Sequence, residues 1–355
     1  MTARLRPELA DLPAYTPGRT VPGAIKLASN ETVQSPLPSV LEAIEASADT
    51  INRYPDNGHL ALKEQLSEHL AADGDFGPER IAVGCGSVSL CQQLIQITCS
   101  VGDEVVFGWR SFEVYPLQVR VAGATPVQVP LRDETFDLDA MLAAVTERTR
   151  LIFVCNPNNP TGTVVNAAEL KAFAIDAAKK VPVFIDEAYL DCADDYEGQT
   201  MVKLVAEGHN VVIARTFSKI YGMAGLRMGY GIMPAKLAKE VKPLSTGSVN
   251  MMGVVAASAS LQDATYVAET RAKIKAGRDA LIAVIKDLKK EYAEPQGNFV
   301  FFKTGMPIKD FQDKMKAEMV LVGRPFPPLT EWARISIGTP EEMAVCHAAL
   351  KKVLA

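Results

Sequence analysis

VVIARTFSK, at residues 211–219, carries the clearest structural signal in this chain. Its first four residues are a continuous apolar run, which is the pattern of a buried β-strand. The residues that follow, IYGMAG at 220–225, are typical of a tight turn. Lys219 is therefore expected just past a buried strand, where partial desolvation disfavours the ammonium form and makes a nucleophilic amine available.

Two hydroxyl groups and a guanidinium accompany this lysine. Thr216 and Ser218 precede Lys219 closely, and Arg227 follows it. These groups can hold a phosphate beside the amine. A nucleophilic amine next to a phosphate is the combination that pyridoxal phosphate requires. By itself, the stretch also fits a surface loop that carries one lysine and one arginine.

Two upstream stretches favour the cofactor site. At 151–162 an apolar run leads into NPNNPTG, a rigid turn at a strand end that also fits a structural loop. At 181–189 VPVFI leads into DEAY, which places Asp186 at the end of a buried strand, where open α/β sheets bind ligands. A buried carboxylate needs a cationic or donor partner, which a pyridinium nitrogen would supply. Tyr189 is placed to donate its phenol to the ring oxygen of the cofactor.

These motifs, in this order and spacing, resemble the aspartate-aminotransferase superfamily of pyridoxal-phosphate enzymes. The closer resemblance is to its histidinol-phosphate aminotransferase branch, through ASNE at 28–31, RYPD at 53–56 and ARISIG at 333–338. Residues 1 to about 165 are most similar to actinobacterial phenylalanine, or aromatic amino acid, aminotransferases. That likeness is carried by GCGSVSLCQQ at 84–93 and GWRSFE at 108–113. The resemblance covers essentially the whole chain.

The alternation of short apolar runs with helix-length segments predicts an α/β fold with a mostly parallel sheet. The candidate strands are 81–83, 105–107, 125–129, 151–155, 183–185, 211–214 and 228–233, followed by 298–303 and 334–337. A long helix is predicted from Ser258 to Tyr292. The resemblance implies fold-type I, with an N-terminal arm at 1–45, a large cofactor-binding domain at 46–250 and a small α/β domain at 251–355 to which the arm contributes.

The resemblance also implies the roles of the site residues. Lys219 would bond to the cofactor aldehyde and move the substrate proton, Asp186 would keep the pyridine nitrogen protonated, and Asn159 and Tyr189 would hydrogen-bond the ring oxygen. The backbone amides of Ser87 and Val88, at a helix N-terminus, would bind the cofactor phosphate. An aromatic ring would stack on the pyridine, and Phe112 and Tyr115 are the two candidates for it. The remaining expected cofactor-binding residues are Thr216, Ser218, Arg227 and Tyr54.

Substrate recognition is implied at a smaller set of residues. Arg334 would bind the α-carboxylate of the amino acid with a bidentate fork, although an internal ion pair is an alternative for this residue. Asn30 and Arg324 are further candidates for the pocket. The run RPFPP at 324–328 departs from both near families and leaves its role in specificity open. Tyr54 would reach the cofactor phosphate of the neighbouring subunit, which implies a homodimer with shared active sites.

Composition excludes several classes of partner. The net charge of -5 argues against nucleic acid or an anionic membrane, and no apolar run reaches the roughly 18 residues of a spanning helix. The N-terminus has no apolar core behind its arginines and thus no secretion signal. Six cysteines without a Cys-x-x-Cys pair are typical of a reduced, cytoplasmic protein. The four histidines are scattered, so we expect no metal site.

Lysine is unevenly distributed. Before residue 170 the only lysines are Lys26 and Lys63, whereas after it lysine outnumbers arginine roughly three to one. Local surface preference explains this pattern, and so does a chimeric or designed chain with two ancestries, in which the second half comes from other aminotransferases of the same branch.

The predicted reaction moves an amino group from an aromatic amino acid, phenylalanine or tyrosine, to a 2-oxo acid such as 2-oxoglutarate. The alternatives within the branch are a histidinol-phosphate aminotransferase of histidine biosynthesis and a threonine-phosphate decarboxylase, which carbon dioxide release would distinguish. A regulator with an aminotransferase-like domain is disfavoured, because the site motifs begin near residue 30 and leave no room for an N-terminal DNA-binding module.

Overall fold

The strands of the described residues form three sheets. The computed structural model describes residues 6, 9–13, 20–34, 36–245 and 249–355, so part of the predicted arm, at 1–5, 7–8, 14–19 and 35, lies outside the described residues. The strands are β1 (Ile25–Leu27), β2 (Ile81–Gly84), β3 (Glu104–Trp109), β4 (Thr125–Pro130), β5 (Thr149–Cys155), β6 (Val183–Asp186), β7 (Val211–Thr216), β8 (Gly229–Ile232), β9 (Tyr292–Ala293), β10 (Phe299–Lys303), β11 (Val320–Val322) and β12 (Trp332–Ser336).

The seven-stranded central sheet has the order β2-β8-β7-β6-β5-β3-β4. Its strands pair in parallel except that β8 runs antiparallel to both of its neighbours. Strands β6 and β7 are buried along their full length, as expected for parallel strands covered on both faces. The α/β class with a mostly parallel sheet is therefore confirmed, and each predicted strand of this sheet is present with bounds shifted by at most three residues.

Helices cover the central sheet and build the second lobe. They are α1 (Pro38–Ala46), α2 (Leu60–His69), α3 (Ser87–Thr98), α4 (Val114–Val121), α5 (Leu138–Ala143), α6 (Ala167–Ala178), α7 (Tyr196–Gln199), α8 (Lys203–Ala206), α9 (Ala235–Val241), α10 (Met251–Ser260), α11 (Tyr266–Asp287), α12 (Ile308–Ala317) and α13 (Pro340–Leu354).

The long helix predicted over 258–292 is wrong at both ends. Its first residues belong to α10, and α11 begins only at Tyr266, because the side chain of Asp263 accepts hydrogen bonds from the amides of Thr265 and Tyr266 and starts a new helix there. Lys289 has a φ of 54°, outside the helical region, and the chain enters β9 at Tyr292.

A second hydrophobic core lies in the C-terminal part of the chain. Strands β9, β10 and β12 form an antiparallel sheet, and β1 pairs in parallel with β11. Leu27 of β1 belongs to this core, together with Leu281 of α11 and Leu350 of α13. The described part of the N-terminal segment thus packs against the C-terminal lobe, and the exact domain boundaries stay a prediction.

Candidate active site

A cavity of about 440 Å³ opens at the carboxyl edge of the central sheet. Strands β5, β6 and β7 deliver their following loops to it, the N-terminus of α3 forms one wall, and the C-terminal lobe forms the opposite wall. The structure brings together at this cavity all the sequence-predicted site residues except one. They are Asn30, Ser87, Val88, Phe112, Asn159, Asp186, Tyr189, Thr216, Ser218, Lys219, Arg227, Arg324 and Arg334.

Asp186 is the last residue of β6 and only 4% exposed. Its carboxylate accepts hydrogen bonds from the hydroxyl of Tyr115 at 2.9 Å and from the amide of Ala188 at 3.1 Å. Burial raises the pKa of Asp186 to about 6, although both hydrogen bonds and the charge of Lys219 lower it. The desolvation of this carboxylate is therefore incompletely compensated, and a cationic group in the cavity would stabilise its ionised form.

Tyr115 has a function that sequence analysis missed. Its ring is fully buried, stacks on Phe153 at 4.7 Å and meets Phe112 edge-on at 5.5 Å, so that Phe112 rather than Tyr115 lines the cavity. Its hydroxyl holds Asp186 from behind. Helical spacing from Phe112 marked Tyr115 as a neighbour of the site, but no signal linked it to a carboxylate 71 residues away.

The groups around Lys219 form a concave, cationic end of the cavity. The hydroxyl of Thr32 donates to the backbone oxygen of Lys219 at 2.5 Å, and the Lys219 amine lies 5.3 Å from the centre of the Tyr189 ring. Arg227, held in a left-handed conformation with φ 57°, extends Nη1 to 3.4 Å from the Ser218 hydroxyl.

The start of α3 meets this cationic end. Gly86 caps the helix with φ 73°, and a Cβ atom at this position would lie 2.8 Å from Nη2 of Arg227. The unsubstituted backbone leaves room for the guanidinium next to the first amides of α3. A helix N-terminus, the Ser218 hydroxyl and an arginine are a donor set that suits a phosphate monoester. The Thr216 hydroxyl lines the same cavity but donates to the backbone oxygen of Met228 at 3.1 Å. The residues present therefore fit the phosphate of pyridoxal phosphate, as the buried Asp186 fits its cationic ring nitrogen.

Asn159 and Tyr189 face the middle of the cavity and are both held by other polar groups. The amide of Asn30 donates to the Tyr189 hydroxyl at 3.1 Å, and Arg334 donates to the side-chain oxygen of Asn159. Burial raises the pKa of the Tyr189 phenol, while Arg334 and the bond from Asn30 lower it. Tyr189 therefore stays a neutral donor at physiological pH.

Arg334 lies in the middle of β12 and is 3% exposed. Besides Asn159, its guanidinium donates to the backbone oxygen of Ala28 at 2.9 Å. The amide of Gly323 donates to the backbone oxygen of Arg334 at 2.8 Å, which places Arg324 next to Arg334 at the cavity wall. Two arginines thus face the same part of the cavity.

Tyr54 is the predicted site residue that the structure does not bring to this cavity. Its side chain is 98% exposed, in a turn in which Asp56 accepts hydrogen bonds from the amides of Gly58 and Leu60. These backbone hydrogen bonds lower the pKa of Asp56. A contact of Tyr54 with a neighbouring subunit stays a prediction.

Two properties of the described chain bear on other kinds of site. In the part that the structure describes, no helix combines the length and the apolar character needed to cross a membrane. Within the same residues, no group of three histidine, cysteine or acidic side chains has the geometry to hold a metal ion.

Comparison with known proteins identifies the family. Residues 22–350 match the family described as aminotransferase class I and II. The chain is 54% identical over 349 residues to the aromatic amino acid aminotransferase of Mycobacterium sp. (strain KMS), with 96% of each chain covered. It is 53% identical over 343 residues to the enzyme of the same name from Mycobacterium tuberculosis (strain ATCC 25177 / H37Ra), again with 96% of each covered.

Solved structures agree with this match. The histidinol-phosphate aminotransferase from Sinorhizobium meliloti, in complex with pyridoxal-5'-phosphate, superposes with a TM-score of 0.90 at 30% identity, covering 100% of this chain and 98% of that one. The predicted family and fold type are confirmed. The mycobacterial matches extend across the change in lysine usage, and a chimeric origin stays a hypothesis. The chain belongs to the class I and II aminotransferase family and is an aminotransferase of the pyridoxal-phosphate-dependent type.

Proposed function

We propose that this aminotransferase takes the amino group from an aromatic amino acid, phenylalanine or tyrosine, and transfers it to 2-oxoglutarate. The observation that carries the proposal is the single cavity in which Lys219, Asp186, Arg227 and Arg334 meet. Mycobacterial relatives that are named aromatic amino acid aminotransferases support the choice of donor.

Pyridoxal phosphate would be held by the residues whose geometry fits it. The N-terminus of α3 and the side chains of Ser218 and Arg227 would bind its phosphate, and Phe112 would cover one face of its ring. When bound, this cofactor supplies an electrophilic aldehyde and a ring that withdraws electrons from the substrate Cα. Asp186 would stabilise the cationic ring nitrogen throughout the reaction.

The remaining chemistry belongs to the side chains of the chain itself. Lys219 would bind the cofactor covalently at rest and, once displaced by the amino acid, carry the proton from the substrate Cα as base and then acid. Arg334 would fix the α-carboxylate and thereby the orientation of the Cα–H bond toward Lys219. Asn159, oriented by Arg334, and Tyr189, oriented by Asn30, would donate to the ring oxygen.

Histidinol phosphate is a second candidate donor. Arg324 supports it, because this residue places another guanidinium at the cavity wall where a substrate phosphate would find a partner. The structural similarity to the histidinol-phosphate aminotransferase from Sinorhizobium meliloti points the same way.

A homodimer with shared active sites is also part of the proposal. Apolar side chains on both sides of Tyr54 in the sequence are exposed, with Ile51 at 69%, Leu60 at 53% and Leu41 at 52%. A protein interface would cover exposed apolar side chains of this size. We further propose a cytoplasmic location, which the six free cysteines support, and a division into large and small domains near residue 250.

The test is a donor panel. Holoenzyme is mixed separately with phenylalanine, tyrosine, histidinol phosphate and glutamate, and the cofactor absorbance is followed as the amino group is taken up. We expect the highest kcat/KM for phenylalanine or tyrosine. Carbon dioxide release, or turnover restricted to histidinol phosphate, would contradict the proposed function.

A further inference from the structure

The carboxylate of Glu113 lies next to Arg324, outside the cavity lining, and has no role in the chemistry described above. Glu113 follows Phe112 at the N-terminus of α4. Its Oε2 is 2.5 Å from Nη2 of Arg110, and its Oε1 is 2.8 Å from Nη2 of Arg324. The Arg110 side chain is 6% exposed, and those of Glu113 and Arg324 are 18% and 17% exposed. Glu113 is therefore shared by two guanidinium groups that come from opposite lobes.

The position of Arg324 gives this carboxylate access to the substrate. Arg324 lines the cavity beside Arg334, and the guanidinium carbons of the two lie 5.6 Å and 4.9 Å from the centre of the Phe326 ring. Every amino-acid donor has the α-carboxylate that Arg334 would bind. A second carboxylate on the same substrate would meet Arg324. Histidinol phosphate has no α-carboxylate, but its phosphate is larger and carries more charge than the carboxylate it replaces, so it would also reach Arg324 beside Arg334. Arg324 is therefore the cation that distinguishes these donors from aromatic amino acids.

Glu113 changes what Arg324 can offer. Burial lowers the pKa of the Arg110 guanidinium, the charge and hydrogen bond of Glu113 raise it, and the charge of Arg324 lowers it. The carboxylate thus compensates the repulsion between two neighbouring cations and occupies a donor group of Arg324. A substrate carboxylate or phosphate must share that arginine with Glu113 and face its negative charge. An uncharged aromatic ring avoids this repulsion and can pack against the guanidinium plane.

We propose that Glu113 is a specificity-determining residue that acts through Arg324 and favours aromatic donors over donors that carry a second carboxylate or a phosphate. This inference rests on the proposed function. Glu113 is a positioning residue, because it holds Arg324 and does not itself line the cavity. The second carboxylate of 2-oxoglutarate or of glutamate would also compete with Glu113 for Arg324. The kcat/KM for these two substrates should therefore also rise when the charge of Glu113 is removed.

The experiment compares donors in the variant Glu113→Gln, which keeps the size of the side chain and removes its charge. The kcat/KM of the donor half-reaction is measured with phenylalanine, glutamate and histidinol phosphate. We expect kcat/KM for glutamate and for histidinol phosphate, each relative to phenylalanine, to rise about tenfold. The gain should appear mainly as a lower KM with little change in kcat, because Arg324 binds the anion equally in the ground state and in the transition state.

Two controls show whether the effect belongs to this contact. Glu104→Gln makes the same substitution at the first residue of β3, where the carboxylate pairs with Arg148, and should leave the ratios unchanged. In the double variant Glu113→Gln/Arg324→Gln the gain should disappear, because it passes through Arg324. Thermal unfolding and the cofactor absorbance of each holoenzyme confirm that the variants are folded and loaded.

Unchanged or lower ratios in Glu113→Gln would overturn the inference, as would a gain that persists without Arg324. General damage to the site would lower kcat/KM for all three donors together and leave the ratios unchanged. That result would therefore also count against the role of Glu113. If the wild-type enzyme uses neither phenylalanine nor tyrosine, the proposed function fails and the inference fails with it. If the wild-type enzyme uses them and the ratios do not move, only the role of Glu113 is refuted.

Discussion

At the residue scale, Asp186 shows how a functional side chain lowers the stability of the cofactor-free protein. Burial raises its pKa from 3.8 to about 6. Because the folded pKa lies above the unfolded one, the folded chain holds an extra proton between these values. The free energy of unfolding therefore falls as the pH rises through this window. A shift of about two units corresponds to a loss of up to about 3 kcal/mol above pH 6.

The variant Asp186→Asn removes this cost. In the cofactor-free protein we expect it to raise Tm at pH 8 and to change it little at pH 4, where the wild-type carboxyl is protonated when folded. Thermal unfolding across this pH range is the measurement. Asp176→Asn is the matched control, because Asp176 lies on the exposed side of α6 and its pKa is lowered by its contact with Lys179. Equal effects of Asp186→Asn at both pH values would contradict the argument.

The same variant should be a poor enzyme. Without the Asp186 carboxylate the cationic ring nitrogen loses its partner, and this matters most as negative charge develops on the substrate Cα. We expect kcat to fall by roughly 10²-fold or more while cofactor occupancy changes far less. Near-normal turnover with phenylalanine in Asp186→Asn or Asp186→Ala would reject this role.

Lys219 gives a third prediction at this scale. Lys219→Ala should abolish transamination while the protein stays folded and still binds the cofactor without a covalent bond, since its other proposed contacts remain. Borohydride reduction of the wild-type holoenzyme, followed by peptide mass analysis, should place the cofactor on Lys219. Lys236→Ala, at an exposed position of α9, is the control and should retain activity. Cofactor attached to any other lysine would refute the assignment.

At the scale of elements, the N-terminus of α3 and the turn that carries Arg227 act as one phosphate cradle. Gly86 allows the close approach, with φ 73° and with Nη2 of Arg227 only 2.8 Å from where a Cβ would be. In Gly86→Ala the backbone is strained by the positive φ, and the flexible end of Arg227 must move aside, which takes the guanidinium out of the phosphate position. We expect the Kd for pyridoxal phosphate to rise about tenfold, measured by fluorescence titration.

A matched control separates backbone strain from loss of the cradle. Gly208 also has a positive φ, of 88°, and a Cβ there would meet nothing within 4 Å. Gly208→Ala should therefore lower stability by roughly 1 kcal/mol and leave cofactor affinity unchanged. If both variants lose affinity equally, strain rather than Arg227 explains the effect.

Elements also show what the sequence could and could not predict. Lys219 and Asp186 were predictable because each lies at or just past the end of an apolar strand, and parallel strands deliver such residues to one edge of a sheet. The contact between Tyr115 and Asp186 and the ion pair between Glu113 and Arg324 were not. They join side chains that are distant in sequence, and only the packing of α4 and of the loop after β11 brings them together. The break between α10 and α11 was missed because its signal is a single aspartate, Asp263, whose side chain accepts hydrogen bonds from the amides of Thr265 and Tyr266.

At the scale of the whole molecule, one chain supplies nearly the whole cavity, and the predicted remainder comes from a second copy. The turn that carries Tyr54 projects into solvent, anchored by Asp56 next to the start of α2. An obligate homodimer is symmetric, so each copy that gives its Tyr54 to the partner's cavity receives one in return. In the proposed homodimer each active site would therefore depend on the partner for one residue, although each has its own Lys219.

This arrangement predicts complementation between two defective subunits. Lys219→Ala removes the base from a subunit's own cavity, whereas Tyr54→Ala removes a phosphate contact from its partner's cavity and should weaken cofactor binding there. In a mixed dimer of the two variants, one cavity carries both lesions and the other carries neither. Activity of the mixture should therefore exceed that of either parent and approach half that of the wild type per mixed dimer. Refolding the two variants together and isolating the mixed dimer with two affinity tags makes the measurement direct.

If each cavity is built from a single chain, both cavities of the mixed dimer stay damaged. In that case confirmed mixed dimers show no recovery, and Tyr54 is only part of a surface turn.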